Sequence, residues 1–253
     1  NLLIVEVFLN FSVINVIKKI VCLIFRMSIF MSVNSNLQSV SAYNKIREDI
    51  LASKFPPNHK LKVKELSGLY DIGVIPIREA LSRLESEALV AHVGQTGFTV
   101  SQISKEDLKS LVETRILIEC QALELSIKNF SNKWEEELVL AFHRLQRTDR
   151  VLQVNGVRAI NRNWIAYHHS FHLTLINNSG LPWLNKFCSE LIDHSTKYGV
   201  FITVEYPNLG RESAKEHKEL YESVLARDSE SSKNLLKQHY HASIEHILKF
   251  LTK

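Results

Sequence analysis

Four histidines in the C-terminal half have the types and spacings that can do chemistry: His168, His172, His217 and His239. His168 and His172 stand four apart and share one face of a helix. That face also carries Trp164, Phe171 and Leu175, so it turns inward. His217 lies among Ala214, Leu220, Tyr221 and Val224, and His239 among Leu235, Leu236, Ser243 and His246, so both also face a core. A turn near Ala226-Arg227-Asp228-Ser229 separates the last two, and each lies 11 residues from Asp228. In an antiparallel helical hairpin those positions sit at one level, roughly three turns from the bend. Two facing imidazoles plus an i,i+4 pair could converge on a divalent transition metal. Zinc comes first, with nickel, copper or iron also suited to imidazole nitrogen. Spacing alone leaves the other reading open, in which each is a core histidine satisfied by a hydrogen bond.

A helical scaffold must position these residues. Ser104-x-x-Asp107 reads as a capping box, and Asn132-x-x-Glu135 opens the next helix. Further helices are expected near 157–177, from Pro182 to about 200, and near 212–227 and 230–251. No alternating strand pattern stands out, so residues 104–253 read as an all-α bundle of about six helices. The stretch His168-His169-Ser170-Phe171-His172 has the histidine spacing of a zinc hydrolase. His169, however, stands where that chemistry needs a glutamate base. A metal-dependent hydrolase is therefore the weaker alternative.

Residues 36–103 have a different grammar. Tyr43, Ile46, Ile50 and Leu51 give a first helix that Ser39 or Ser41 could cap, ended by Phe55-Pro56-Pro57-Asn58. Val63, Leu66, Leu69 and Tyr70 form the apolar side of a short second helix. Asp71-Ile72-Gly73 is the turn, with Gly73 able to take positive φ. Pro76 suits the first turn of a third helix whose Ala80, Leu81 and Leu84 face a core. Leu89-Val90-Ala91 and Phe98-Thr99-Val100 then read as two strands around a wing, His92 to Gly97. This is a winged helix-turn-helix, whose second helix fits the DNA major groove. An arginine on that helix, Arg78, can contact phosphate or guanine; the alternative is a surface ion pair with Glu79 or Glu85.

Composition sets the remaining bounds. The chain has 253 residues and a formal net charge of +4. Residues 36–100 hold eight basic and seven acidic side chains, a net of +1, so phosphate neutralisation is modest per subunit and dimeric binding is favoured. Cys22, Cys120 and Cys188 are far apart with no CxxC, which argues against disulfides and thiolate zinc and fits a cytoplasmic protein. Residues 1–35 stand apart. They are apolar but broken by Glu6, Lys18 and Lys19, and they precede or include Met27 and Met31. They read as an upstream extension that is not native protein, or else as a poor membrane anchor.

The string PIREALSRLESEALV at 76–90, followed by a glycine and a strand, resembles the GntR family of transcriptional regulators. The words HHSFHLTLINNSG, EHKELYESVLARD and LLKQHY resemble the helical effector domain, termed FCD, of its FadR branch. The resemblance implies DNA-contacting roles for Lys64 and Arg78 and a wing glycine at Gly97. Gly73 and Val74 stand where the family has Ser-Arg, so base readout could lean on Gln95 and Thr96. It also implies that His168, His172, His217 and His239 hold the metal, with His168 in place of the usual Asp. A small carboxylic acid effector would bind beside it, with Arg115 as a receptor and Lys197 and Tyr198 completing the pocket. Arg115 and Glu119 are i,i+4, so a structural ion pair is the alternative for Arg115. The two departures are most similar to the carbon-starvation regulators of the family, whose relatives respond to glutarate-type acids. The expectation is a homodimeric, metabolite-responsive regulator, most often a repressor, on a pseudo-palindromic operator. It is not an enzyme. An effector-independent DNA-binding protein is the remaining alternative.

Overall fold

The computed structural model describes residues 37–94, 97–154, 157–205 and 213–251. The N-terminal module comprises helix α1 (37–51), strand β1 (Lys60–Leu61), α2 (Val63–Tyr70), α3 (Val74–Ser86), β2 (Val90–His92) and β3 (Phe98–Val100). The sheet order is β1-β3-β2, antiparallel throughout, with Leu61 opposite Phe98 and Val90 opposite Val100. Ile46 and Ile50 of α1, Leu66 of α2, Ile77, Leu81 and Leu84 of α3, and Phe98 and Val100 of β3 close one core. Each comes from the apolar face of an amphipathic element, so burying them brings the elements together.

Several local details differ from the sequence reading. Ser39 and Ser41 lie inside α1, which is already helical at residue 37, so neither caps it. Gly73 caps α3 at φ −56°. The residue at positive φ is Asp71, at φ 55°, where α2 ends. An Asp tolerates that conformation because its short polar side chain can bond locally. Pro76 is buried in the first turn of α3, where its missing N–H has no partner to lose. The strand expected at 89–91 lies at 90–92, and β1 adds a third strand.

The C-terminal domain holds six helices among the described residues: α4 (Lys105–Lys128), α5 (Asn132–Gln146), α6 (Arg162–Ile176), α7 (Pro182–Glu205), α8 (Ala214–Leu225) and α9 (Ser229–Leu251). The Ser104 hydroxyl accepts the Asp107 N–H at 3.0 Å and caps α4, and Ser131 caps α5 in the same way. Helix α4 is central and packs on α7 and α9, while α5 packs on α6 and α8 on α9. Residues 157–160 are not the start of a helix. They form β5 (Val157–Ile160), paired antiparallel with β4 (Val151–Val154), Val151 opposite Ile160. Among the described residues no helix is long and apolar enough to cross a membrane. The extension at 1–35, with Gln95 and Thr96 of the wing, lies outside the described residues.

Candidate functional site

Helix α6 places His168 and His172 one turn apart, and the α8–α9 hairpin brings His217 and His239 to the same level. Ring centroids are 4.5 Å apart for His168–His172, 5.0 Å for His168–His217, 5.2 Å for His172–His239 and 4.6 Å for His217–His239. One nitrogen from each of the four lies within 4.8 Å of the others. Burial holds His168 and His172 well below the ordinary imidazole value of 6.5, and the neighbouring histidines and Arg115 push the same way. Both rings are therefore neutral near pH 7, the form in which imidazole binds metal.

Two further contacts fix which nitrogens face inward. His239 Nδ1 lies 2.8 Å from Glu216 Oε2. A carboxylate only accepts, so Nδ1 carries the proton and Nε2 is left to ligate, the carboxylate–histidine arrangement of many metal centres. His172 is 1% exposed, its Nδ1 is 3.4 Å from the Tyr240 hydroxyl, and its Nε2 has no hydrogen-bond partner among the described residues. A buried orphan of this kind is rare unless something else occupies its lone pair. The donor set, four imidazole nitrogens, fits a divalent transition ion.

The cluster opens on a cavity of about 90 Å³, lined also by Arg115, Arg150 and Trp164. That is room for several waters or a compact acid. Arg115 reaches it from α4 but is committed locally. Its Nε donates to Glu119 at 2.6 Å and its Nη2 to the Tyr240 hydroxyl at 2.8 Å, and Tyr240 donates to Glu119 at 2.5 Å. The ion pair with Glu119 is thus present, and Arg115 still lines the cavity. Arg150 was not singled out by sequence reasoning. Its guanidinium sits 4.9 Å over the Trp164 ring, which itself stacks on His168 at 4.6 Å.

Lys197 and Tyr198 do not line this cavity. Helix α7 contributes Ile192, Ser195, Thr196, Gly199 and Val200, and at 100° per residue the next two positions turn elsewhere. Tyr198 instead donates to Asp107 and receives the Ser104 N–H, at the start of α4. Lys197 is buried, which pushes its ammonium down to about 8 against the pull of Asp107.

The same turn of α7 grips the N-terminal module. Asp193 accepts from Arg47 of α1, Nε at 3.0 Å, and His169 Nε2 lies 2.9 Å from its other oxygen. Burial alone would raise the Asp193 carboxyl, but His169 and Arg47 hold it below its usual range. His194 Nε2 donates to the Glu87 carbonyl that ends α3, at 2.8 Å. Arg162 at the start of α6 donates to Asp49 of α1 at 2.8 Å. Residues 192, 195 and 196 thus face the cavity while 193 and 194 hold the winged module, and His169 adjoins His168 in sequence. No local pattern signals the contacts to the winged module, which join residues more than 100 apart.

On the outer side of the N-terminal module, Lys64 and Arg78 are exposed. Arg78 makes no ion pair with Glu79 or Glu85. Gly97 has φ +139° and its carbonyl accepts the Val93 N–H at 2.9 Å. That backbone conformation favours glycine.

Comparison with known proteins matches this architecture. Residues 38–100 match the family described as bacterial regulatory proteins, gntR family, and residues 110–242 match the FCD domain. The chain is 31% identical over 218 residues to the uncharacterized HTH-type transcriptional regulator BphR of Paraburkholderia xenovorans, covering 85% of this chain and 88% of BphR. It is 28% identical over 207 residues to the HTH-type transcriptional repressor GlaR of Escherichia coli, covering 80% and 92%. Among solved structures, Escherichia coli McbR/YncC superposes with a TM-score of 0.71 at 22% identity, over 84% of this chain and 97% of that one. At that identity the likeness is one of fold.

Proposed function

The chain belongs to the gntR family of bacterial regulatory proteins and carries an FCD domain; it is a DNA-binding transcription regulator rather than an enzyme, and on that premise we propose that a metal-held carboxylate in its helical domain controls its grip on DNA. The observation that carries this reading is the four-imidazole cluster on a cavity whose α7 wall also holds the winged module. His168, His172, His217 and His239 hold a divalent transition ion, with zinc the best fit to four nitrogen donors. Bound there, the ion offers an acid's oxygen a Lewis-acid partner. Four neutral donors leave its charge uncompensated, which favours an anionic ligand, and Arg115 and Arg150 are placed to receive a carboxylate. Lys197 and Tyr198 keep structural roles at the start of α4.

The regulator works as a cytoplasmic homodimer on a pseudo-palindromic operator, most simply as a repressor. Leu117, Trp183 and Phe187 are exposed on α4 and α7, which pack on each other, and a second copy is their proposed cover. Lys64, Arg78 and the wing residues Gln95, Thr96 and Gly97 make the DNA contacts. Elemental analysis of the purified chain tests the site: wild type carries about one ion per chain. His217→Ala combined with His239→Ala carries none and stays dimeric. Stoichiometric metal in the double variant contradicts the assignment.

A further inference from the structure

Helix α3 begins with two apolar side chains that the core does not use. Val74 is 41% exposed and Ile75 68%, whereas Pro76, Ile77, Ala80, Leu81 and Leu84 are buried. Ile75, Arg78, Glu79 and Ser82 recur at i, i+3, i+4 and i+7, so they make one solvent-facing stripe with Ile75 at its N-terminal end. Helix stability does not explain the pair. β-Branched residues are weaker helix formers, and this first turn carries neither an acid nor a side-chain cap.

In a helix-turn-helix unit the N-terminal residues of the second helix meet base edges in the major groove. The apolar group displayed there is the thymine 5-methyl. Arg78, one turn further on, and Lys64 on α2 are exposed and form no ion pair among the described residues, which leaves both for phosphates alongside. The absence of an acid in the first turn spares those phosphates a repulsion.

We propose that Ile75, with Val74 beside it, reads thymine methyl groups, so that an A·T pair at one fixed place in each half-site is a specificity determinant. This rests on α3 being the helix that enters the groove. The test is selection of binding sites from random DNA by the full-length protein, followed by replacing each thymine of the consensus with deoxyuridine, which removes only the methyl. Each replacement is expected to weaken wild-type binding about fourfold, the effect of re-exposing one methyl-sized group, so one in each half-site compounds to about fifteenfold. Ile75→Ala should bind less tightly and lose sensitivity to that replacement alone, while Ile75→Val keeps part of it. Ile75 is outside the core, so both variants fold.

Wild-type binding indifferent to every methyl overturns the proposal, as does an unchanged sensitivity in Ile75→Ala. Arg78→Ala binding as tightly as wild type would remove the premise that α3 enters the groove, and the proposal with it. If Ile75 instead covers a protein partner, Ile75→Ala leaves DNA affinity and methyl sensitivity untouched.

Discussion

The two domains place their chemistry on opposite sides of their cores. In the winged module the core is apolar, and Lys64, Ile75 and Arg78 project from it into solvent. In the helical domain the functional groups are themselves inside: His172, His217, His239, Arg115 and Glu119 are all buried. An outward site meets a large polyanion by long-range attraction and is screened by salt. An inward site selects a small ligand by desolvation and holds its imidazoles neutral. The difference separates recognition from control, and the two meet at the turn of α7 around Asp193 and His194 and at the Arg162–Asp49 pair.

Acid breaks the inward side first. His168 and His172 bind protons less readily in the folded chain than in the unfolded one, because burial disfavours their charge. Their contribution to stability is therefore complete above the ordinary value of 6.5 and falls away as pH drops from there toward the depressed folded value. Thermal unfolding of the metal-free chain should show a steep loss of stability below about pH 6.5. His168→Gln with His172→Gln should flatten that slope. An identical slope in the double variant would place the acid sensitivity elsewhere.

The junction comes next. Asp193→Asn keeps the side-chain shape but loses the charge that holds Arg47 and His169. Coupling between sites is typically about 5–150-fold in affinity, and in this variant the difference in DNA affinity between metal-loaded and chelated protein should shrink toward onefold. Metal content should remain that of wild type. A variant that stays fully coupled would move the connection to Arg162–Asp49 or His194–Glu87.

The outward side comes last. Arg78→Ala should weaken operator binding by about 1–3 kcal/mol if Arg78 contacts a base. If it touches only phosphate, the loss is uniform across sequences and the salt slope falls by about one. Fluorescence anisotropy on matched and mismatched operators separates the two.

Legibility followed the same divide. The histidine cluster could be read because 3.6-residue periodicity and equal distances from Asp228 fix which side chains share a level. The winged core followed from the same periodicity. Lys197 and Tyr198 were misplaced because adjacency in sequence is not adjacency on a helix: 196 faces the cavity and 198 faces Asp107. The β4–β5 hairpin did have a signal, since Val151-Leu152-Gln153-Val154 and Val157-Arg158-Ala159-Ile160 flank Asn155-Gly156, a strong hairpin dipeptide. It was masked by the helical pattern on both sides. Arg150 and Asp193 had none, because their partners, Trp164 and Arg47, are set by tertiary packing alone.

The most direct test of control from the inward site is the operator affinity of the full-length chain, metal-loaded and after chelation, with Asp193→Asn measured beside it. The account predicts a shift of about 5–150-fold in wild type and little or none in the variant. An operator affinity that ignores chelation in wild type would contradict it, and would leave a DNA-binding protein whose buried histidines serve only its core.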